Sequence, residues 1–146
     1  MRNRVRCCAV LLVLNVAFIW GNSLLPGEVS EAFSNWIGAL LGGGQVPSDG
    51  GGLLRKIAHV TEFACLGFLT ARLGWLKGER GRHLISLALL GGLLTACIDE
   101  SIPLLTPERG PSLVDVWIDT FGVVMGIIML FVINKLKNMI SGGNNQ

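Results

Sequence analysis

The stretch "DESIPLLTPERGPSLVDVWIDTFG", residues 99–122, places six charged side chains between two strongly apolar runs. Asp115 and Asp119 fall where the second run begins, and that run continues to Leu136. A helix of about 20 apolar residues can cross the hydrocarbon core of a bilayer. A charged group well inside such a helix costs roughly 2.5–3.5 kcal/mol when it faces lipid. The stretch therefore predicts a membrane-spanning helix whose carboxylates face a polar site inside the protein.

The composition of the whole chain is that of a small membrane protein. Of its 146 residues, 51% are hydrophobic and only 15% are charged, which is unusual for a soluble domain. This length predicts a single domain over residues 1–146. The net charge of +2 comes from scattered basic residues, so no nucleic-acid partner is expected. The four cysteines form no CxxC pair, which favours free thiols buried in the membrane over a disulfide framework.

Four transmembrane helices are predicted, over residues 7–25, 53–76, 83–102 and 113–136, and they make the fold all-α. Three basic clusters flank these spans: Arg2, Arg4 and Arg6; Lys77, Arg80 and Arg82; Lys135 and Lys137. Alternating crossings put all three clusters on one side of the bilayer. The positive-inside rule then predicts that both termini are cytoplasmic.

The first external loop contains a second kind of helical pattern. The segment "SEAFSNWIGALL", residues 30–41, begins with a serine suited to an N-cap and repeats apolar residues at helical spacing. It predicts a short amphipathic helix in the outer membrane interface. The glycine-rich residues 42–52 that follow predict either a flexible lid or a bare linker.

The unusual polar residues lie at the ends of spans that face the same, outer side. Asn22 and Ser23 close the first span; Lys56, His59 and Glu62 open the second; Asp99 and Glu100 close the third; Ser112, Asp115 and Asp119 open the fourth. Spacings of three and four residues align the members of each helical set on one face. The pattern predicts one shared polar cavity in the outer half of the bundle. Gly122 and Gly126 form a small-xxx-small pair that predicts close approach of another helix.

A purely structural network of intramembrane ion pairs is the alternative to a functional site. A structural pair needs two partners, whereas this set offers four or five carboxylates, one histidine and two or three cations. Charge in such excess inside a membrane protein favours function.

The motifs resemble those of the VanZ-like family, named for a teicoplanin-resistance protein. The family pattern is similar to K-x-x-H-x-x-E, then D-E-x-x-Q, a loop arginine, and S-x-x-D-x-x-x-[ND]-x-x-G. The matching positions are Lys56, His59, Glu62, Asp99, Glu100, Arg109, Ser112, Asp115, Asp119 and Gly122. Pro103 stands where the family usually has glutamine, and the loop before Arg109 also departs from the family pattern.

The resemblance implies a small four-span protein of the bacterial cell membrane, sometimes linked to lower susceptibility to lipoglycopeptides. A distant likeness of this family to enzymes that exchange or remove lipid headgroups has been suggested. The expected reaction is hydrolysis or transfer at a phosphate-bearing lipid headgroup or a lipid-linked cell-envelope precursor. An outward-facing polar pocket at headgroup depth fits a lipid phosphate as its ligand.

Roles can be assigned within this hypothesis. Lys56, Arg109 and Ser112 are expected to bind the phosphate, since charge-assisted donors suit its oxygens. The catalytic residues are expected to be His59, Glu62, Asp99 and Glu100, with the histidine as general base or nucleophile. Asp99, Asp115 and Asp119 are the candidate ligands of a divalent cation such as Mg²⁺, which prefers carboxylate oxygens.

Two alternatives remain open from the sequence. A non-enzymatic binder could sequester a glycopeptide drug or an envelope precursor at the outer leaflet. A small transporter ranks lower, because the inner halves of the last three spans are almost wholly apolar. An enzyme needs Glu100 chemically intact, whereas a binder should tolerate its replacement by glutamine.

Overall fold

The structure, a computed structural model, describes residues 1–24, 50–102 and 112–142, with side chains from Lys56 in the second of these ranges and up to Ser141 in the third. These residues form four helices: α1 (Arg2–Ser23), α2 (Gly50–Lys77), α3 (Gly81–Asp99) and α4 (Leu113–Gly142). No strand occurs in the described part of the chain, which confirms the all-α prediction. The predicted amphipathic helix over residues 30–41, Pro103 and Arg109 lie outside the described residues.

The helices extend beyond most of the predicted spans. α1 begins at Arg2 and so includes the basic residues that were placed before the span. α2 begins at Gly50, so the prediction of an irregular glycine-rich linker is wrong for its last three residues. α3 ends at Asp99, three residues earlier than expected, and α4 continues to Gly142. A helix can continue past the hydrocarbon core into the interface, which hydropathy alone does not register.

Three helices are long and apolar enough to cross a membrane, namely Arg2–Ser23, Gly81–Asp99 and Leu113–Ser141. α2 has 28 residues, which is a sufficient length, but it is not one of these three. The fourth span over α2 therefore stays a prediction.

α2 is the central helix of the described bundle, because it packs against α1, α3 and α4. Its contact with α4 is the most extensive one. A helix surrounded by protein needs less apolar surface than one facing lipid, since only lipid-facing groups bear the full transfer cost. The buried core contains Ile19, Phe63, Leu66, Ala71, Ala88, Ala96, Val123, Ile127 and Leu130.

The outer faces of α1, α3 and α4 carry large apolar side chains that no other helix covers. Val13 and Phe18 on α1, Leu90 on α3, and Trp117 and Phe121 on α4 are all more than half exposed. Surfaces of this kind and extent are suited to lipid and not to water.

Glycines bring the backbones of α2 and α4 together. A Cβ atom at Gly122 would lie 2.7 Å from the backbone oxygen of Val60, and one at Gly126 would overlap the backbone of Ala64. From the other side, Gly67 meets the backbone of Val123. The predicted small-xxx-small contact is therefore confirmed, and its partner is α2.

This contact predicts that Gly126→Ala destabilises the protein. The added methyl group overlaps main-chain atoms that cannot rotate away, so we expect a loss of roughly 1–3 kcal/mol in the free energy of unfolding. Unfolding in detergent micelles, followed by circular dichroism, measures it. Gly21→Ala is the matched control, because its Cβ atom would meet nothing within 4 Å and alanine favours a helix. Equal stability of the two variants would contradict the prediction.

Candidate functional site

The polar ends of all four helices meet at one end of the bundle. The Asn22 amide donates a hydrogen bond to Glu62 Oε1 at 3.3 Å, joining the end of α1 to the N-terminal half of α2. The Ser23 hydroxyl donates to Asp99 Oδ1 at 2.7 Å, joining the ends of α1 and α3. The Ser112 backbone N–H donates to Glu100 Oε2 at 3.2 Å, joining the end of α3 to the segment that enters α4. Six of the residues predicted to line one shared cavity are thus joined by hydrogen bonds between different parts of the chain.

The centre of this site contains His59, Asp99 and Asp119, contributed by α2, α3 and α4. His59 Nδ1 lies 3.5 Å from Asp119 Oδ1 and 3.9 Å from Asp99 Oδ2. Asp99 is 1% exposed and Asp119 is 0% exposed, while the His59 side chain retains 13% exposure. Two carboxylates are therefore fully enclosed by protein, with one imidazole between them and the outside.

Local structure fixes each member of the centre. Asp99 is the last residue of α3, where the helix leaves room for the hydroxyl of Ser23 from α1. Asp119 lies about two turns into α4, one turn before the glycines that contact α2. The His59 ring stacks on Phe63, one turn further along α2, with ring centroids 6.4 Å apart and planes inclined by 14°.

Glu62 lies beside this centre, three residues along α2 from His59, and is half-buried. It interacts electrostatically with His59, Asp99 and Asp119. One of its oxygens accepts the bond from Asn22, and the other, Oε2, is buried without a hydrogen-bond partner among the described residues. A buried carboxylate oxygen in this position is available to a ligand or a water molecule.

Ser112, Glu100 and Asp115 form the entry to α4. The Ser112 hydroxyl accepts a hydrogen bond from the Asp115 backbone N–H at 3.3 Å, which is the geometry of an N-cap. Glu100 is 9% exposed, and its carboxylate accepts the hydrogen bond from the Ser112 backbone N–H. Ser112 thus has a structural role in addition to the phosphate-binding role predicted for it.

The predicted cations are placed differently from the carboxylates. Lys56 is described and exposed, and no ion pair joins it to a carboxylate within the described ranges. The phosphate-binding role of Lys56 stays a prediction. The position of Arg109 falls in the segment 103–111, outside the described residues.

The candidate metal ligands also differ from the predicted set. Ligand atoms of His59, Asp99 and Asp119 all lie within 4.8 Å of one another. Asp115, the third predicted carboxylate, does not belong to this group, because it lies one turn before Asp119 at the mouth of α4. His59 is the third member of the group instead of Asp115. Sequence spacing could not show this, because His59 belongs to a different helix.

The arrangement can bind a cation or hold and transfer a proton. A histidine beside buried carboxylates has its ring orientation and tautomer set by the nearer oxygen. Asn22 and Ser23 were placed at this end from the sequence, but their partners, Glu62 and Asp99, depend on how α1 packs and could not be read from spacing.

Comparison with known proteins gives one match. A family model described as VanZ/LLP1 matches residues 8–134. No curated protein and no solved structure matches the chain.

The bond from Ser23 to Asp99 predicts a specific loss of stability. Ser23→Ala removes a hydrogen-bond donor from a carboxylate that is almost fully buried, and leaving such a group unsatisfied costs about 1–3 kcal/mol. We expect the free energy of unfolding in detergent to fall by that amount.

Ser101→Ala is the control for Ser23→Ala. Its hydroxyl bonds the backbone oxygen of Cys97 on the exposed side of α3, where water can replace it. A loss in Ser101→Ala as large as in Ser23→Ala would show that the buried aspartate is not the cause.

Proposed function

The chain belongs to the VanZ/LLP1 family of membrane proteins, and from this premise we propose that its polar site acts on a phosphate-bearing lipid headgroup or a lipid-linked cell-envelope precursor. The observation that carries the proposal is the centre of His59, Asp99 and Asp119, assembled from three helices and enclosed by protein. Two fully buried carboxylates are costly to keep in an apolar bundle, so their retention favours a functional role.

The proposed topology has four spans in a bacterial cell membrane, with both termini in the cytoplasm. The contacts among Asn22, Glu62, Ser23 and Asp99 support it, because they place the N-terminal half of α2 beside the end of α1 and the end of α3. The basic clusters then belong to the opposite end, which the positive-inside rule assigns to the cytoplasm. The polar site consequently faces the outer leaflet, where lipid headgroups are within reach.

This topology predicts which side chains an impermeant thiol reagent reaches in intact cells. The four native cysteines are free thiols and are first replaced by alanine or serine. Ser101→Cys, exposed beside the site, should then react with a charged maleimide. Lys77→Cys, exposed at the other end of α2, should react only after the membrane is permeabilised. The reverse pattern would contradict the orientation.

The proposed reaction replaces one phosphate ester bond. Water or an acceptor hydroxyl attacks phosphorus, a new P–O bond forms, and the bond to the leaving alcohol breaks. The attacking oxygen gives its proton to a base, and the leaving oxygen receives one from an acid. Glu62, Glu100 and His59 are the groups assigned to these transfers. Lys56, Arg109 and Ser112 are the groups assigned to the phosphate oxygens.

The apolar core directly beneath the site argues against transport. Phe63, Leu66, Val123 and Leu130 are fully buried between α2 and α4 on the inner side of the centre. An ion or proton path needs polar groups along its length. A site open at one end only is suited to binding or chemistry at the membrane surface.

Lipid profiling by mass spectrometry tests the proposed chemistry. Cells expressing the wild type should show a changed headgroup or precursor, and cells expressing His59→Ala or Glu100→Gln at matched levels should not. His83→Ala is the matched control, because the chain has two histidines and this one is exposed beside Glu79 at the other end of the bundle.

The result separates an enzyme from a binder. A headgroup change that occurs with the wild type and with His83→Ala, but not with His59→Ala or Glu100→Gln, supports chemistry at this site and identifies its substrate. Identical profiles from all four proteins would overturn the enzymatic proposal and favour a non-enzymatic binder at the outer leaflet.

A further inference from the structure

We propose that His59, Asp99 and Asp119 bind one divalent transition-metal ion, and that this ion is the element of the site that takes a phosphate oxygen. The statement that the ion contacts a lipid phosphate rests on the proposed function. Binding of the ion to the protein does not rest on that function, and this binding can be measured without any substrate.

The distances fit a common ligand sphere. Transition-metal ions lie about 2.0–2.2 Å from histidine nitrogen and carboxylate oxygen, so two ligand atoms on one ion are about 3.0–3.5 Å apart. The structure has 3.5 Å from His59 Nδ1 to Asp119 Oδ1 and 3.9 Å to Asp99 Oδ2. All three donor atoms lie within 4.8 Å of one another, so they can close onto one ion.

The donor set identifies the class of metal. Mg²⁺ and Ca²⁺ favour sites made of oxygen ligands alone. An imidazole nitrogen together with carboxylates suits first-row ions such as Mn²⁺ or Zn²⁺. The replacement of Asp115 by His59 in the observed cluster therefore changes the expected ion from Mg²⁺ to a transition metal.

The surrounding residues hold the three donors as a metal site requires. Asp99 offers Oδ2 to the centre, while its Oδ1 accepts the hydrogen bond from Ser23 on the opposite side. Outer hydrogen bonds of this kind fix ligating carboxylates. The stack on Phe63 fixes the His59 ring, and the three donors come from three different helices, so their separation is set by the packing of the bundle.

A further buried acceptor lies next to the centre. Glu62 Oε2 is enclosed and has no hydrogen-bond partner among the described residues, although it is not one of the three mutually close ligands. An oxygen in that position can accept a hydrogen bond from a water molecule on the ion. His59 remains 13% exposed, so the centre is not sealed from the outside.

The ion changes the roles within the site. It neutralises the Asp99 and Asp119 pair and offers positive charge to a phosphate oxygen, which carboxylates alone would repel. Because Nδ1 of His59 is then a ligand, the proton transfers fall to Glu62 and Glu100.

Metal binding to the full-length chain tests the inference directly. The protein is purified in detergent, stripped with EDTA and titrated with MnCl₂, ZnCl₂ and MgCl₂ by calorimetry. We expect one Mn²⁺ or Zn²⁺ per chain, bound at least tenfold more tightly than Mg²⁺. Binding should also raise the thermal unfolding midpoint, since the ion binds the folded state.

Variants locate the ion. His59→Gln and Asp119→Asn should each weaken binding more than tenfold. Ser23→Ala should weaken it about tenfold, the lower range for loss of an outer-sphere hydrogen bond. The matched control His83→Gln should bind as tightly as the wild type within about twofold, because its side chain does not belong to the ligand group and lies at the other end of the bundle.

Failure of the wild type to bind any of these ions at a defined stoichiometry would overturn the inference, as would unchanged affinity in a folded His59→Gln variant. Circular dichroism and gel filtration establish that each variant is folded. If Asp119→Asn fails to fold, the test depends on the His59→Gln variant, since the His59 side chain is partly exposed. Stoichiometric binding in a protein that leaves lipid profiles unchanged would support the ion site and refute the lipid chemistry alone, so the two proposals fail separately.

Discussion

The close contact between α2 and α4 is the interaction on which the rest of the structure depends. It exists because Gly122 and Gly126 have no side chains, so the backbone around Val60 and Ala64 can lie directly against α4. His59 immediately precedes Val60, and Asp119 lies one turn before Gly122. The same contact that packs the two helices therefore places the imidazole beside the carboxylate. A side chain at either glycine would push α2 and α4 apart. This would disturb the packing of the core and the contact between His59 and Asp119.

Burial of charge sets the second constraint. Asp99 and Asp119 are enclosed in a bundle whose other buried residues are mostly apolar, and this position is stable only when each carboxylate is satisfied. Ser23 from α1 and His59 from α2 provide part of that environment. α2 can carry such polar groups because it packs against the other three helices, and His59 and Glu62 lie on the side that faces them. The same packing explains why the sequence of α2 is less apolar than that of a typical transmembrane helix.

The sequence predicted much of this arrangement for physical reasons. Apolar length fixed the helices approximately, and spacings of three and four residues placed His59, Glu62 and Asp119 on inward faces. Helix ends were less predictable. α1 begins at Arg2 and α2 begins at Gly50, whereas hydropathy alone predicts that both helices start later. Partners across helices could not be predicted, because the rotation of each helix about its axis depends on packing. The grouping of His59, instead of Asp115, with Asp99 and Asp119 is of this kind.

The asymmetry of the bundle connects its fold to its function. Polar groups occupy one end, and beneath them Phe63, Leu66, Val123 and Leu130 close the space between α2 and α4. A ligand that reaches His59 from the open end meets Glu62 and the two aspartates and can go no deeper without crossing apolar contacts. Under the proposed function, the group that reaches the centre is small and polar, and the rest of the lipid lies beside the exposed apolar faces of the helices. This division suits a molecule with a charged head and an apolar tail, because each part stays in the medium that already solvates it.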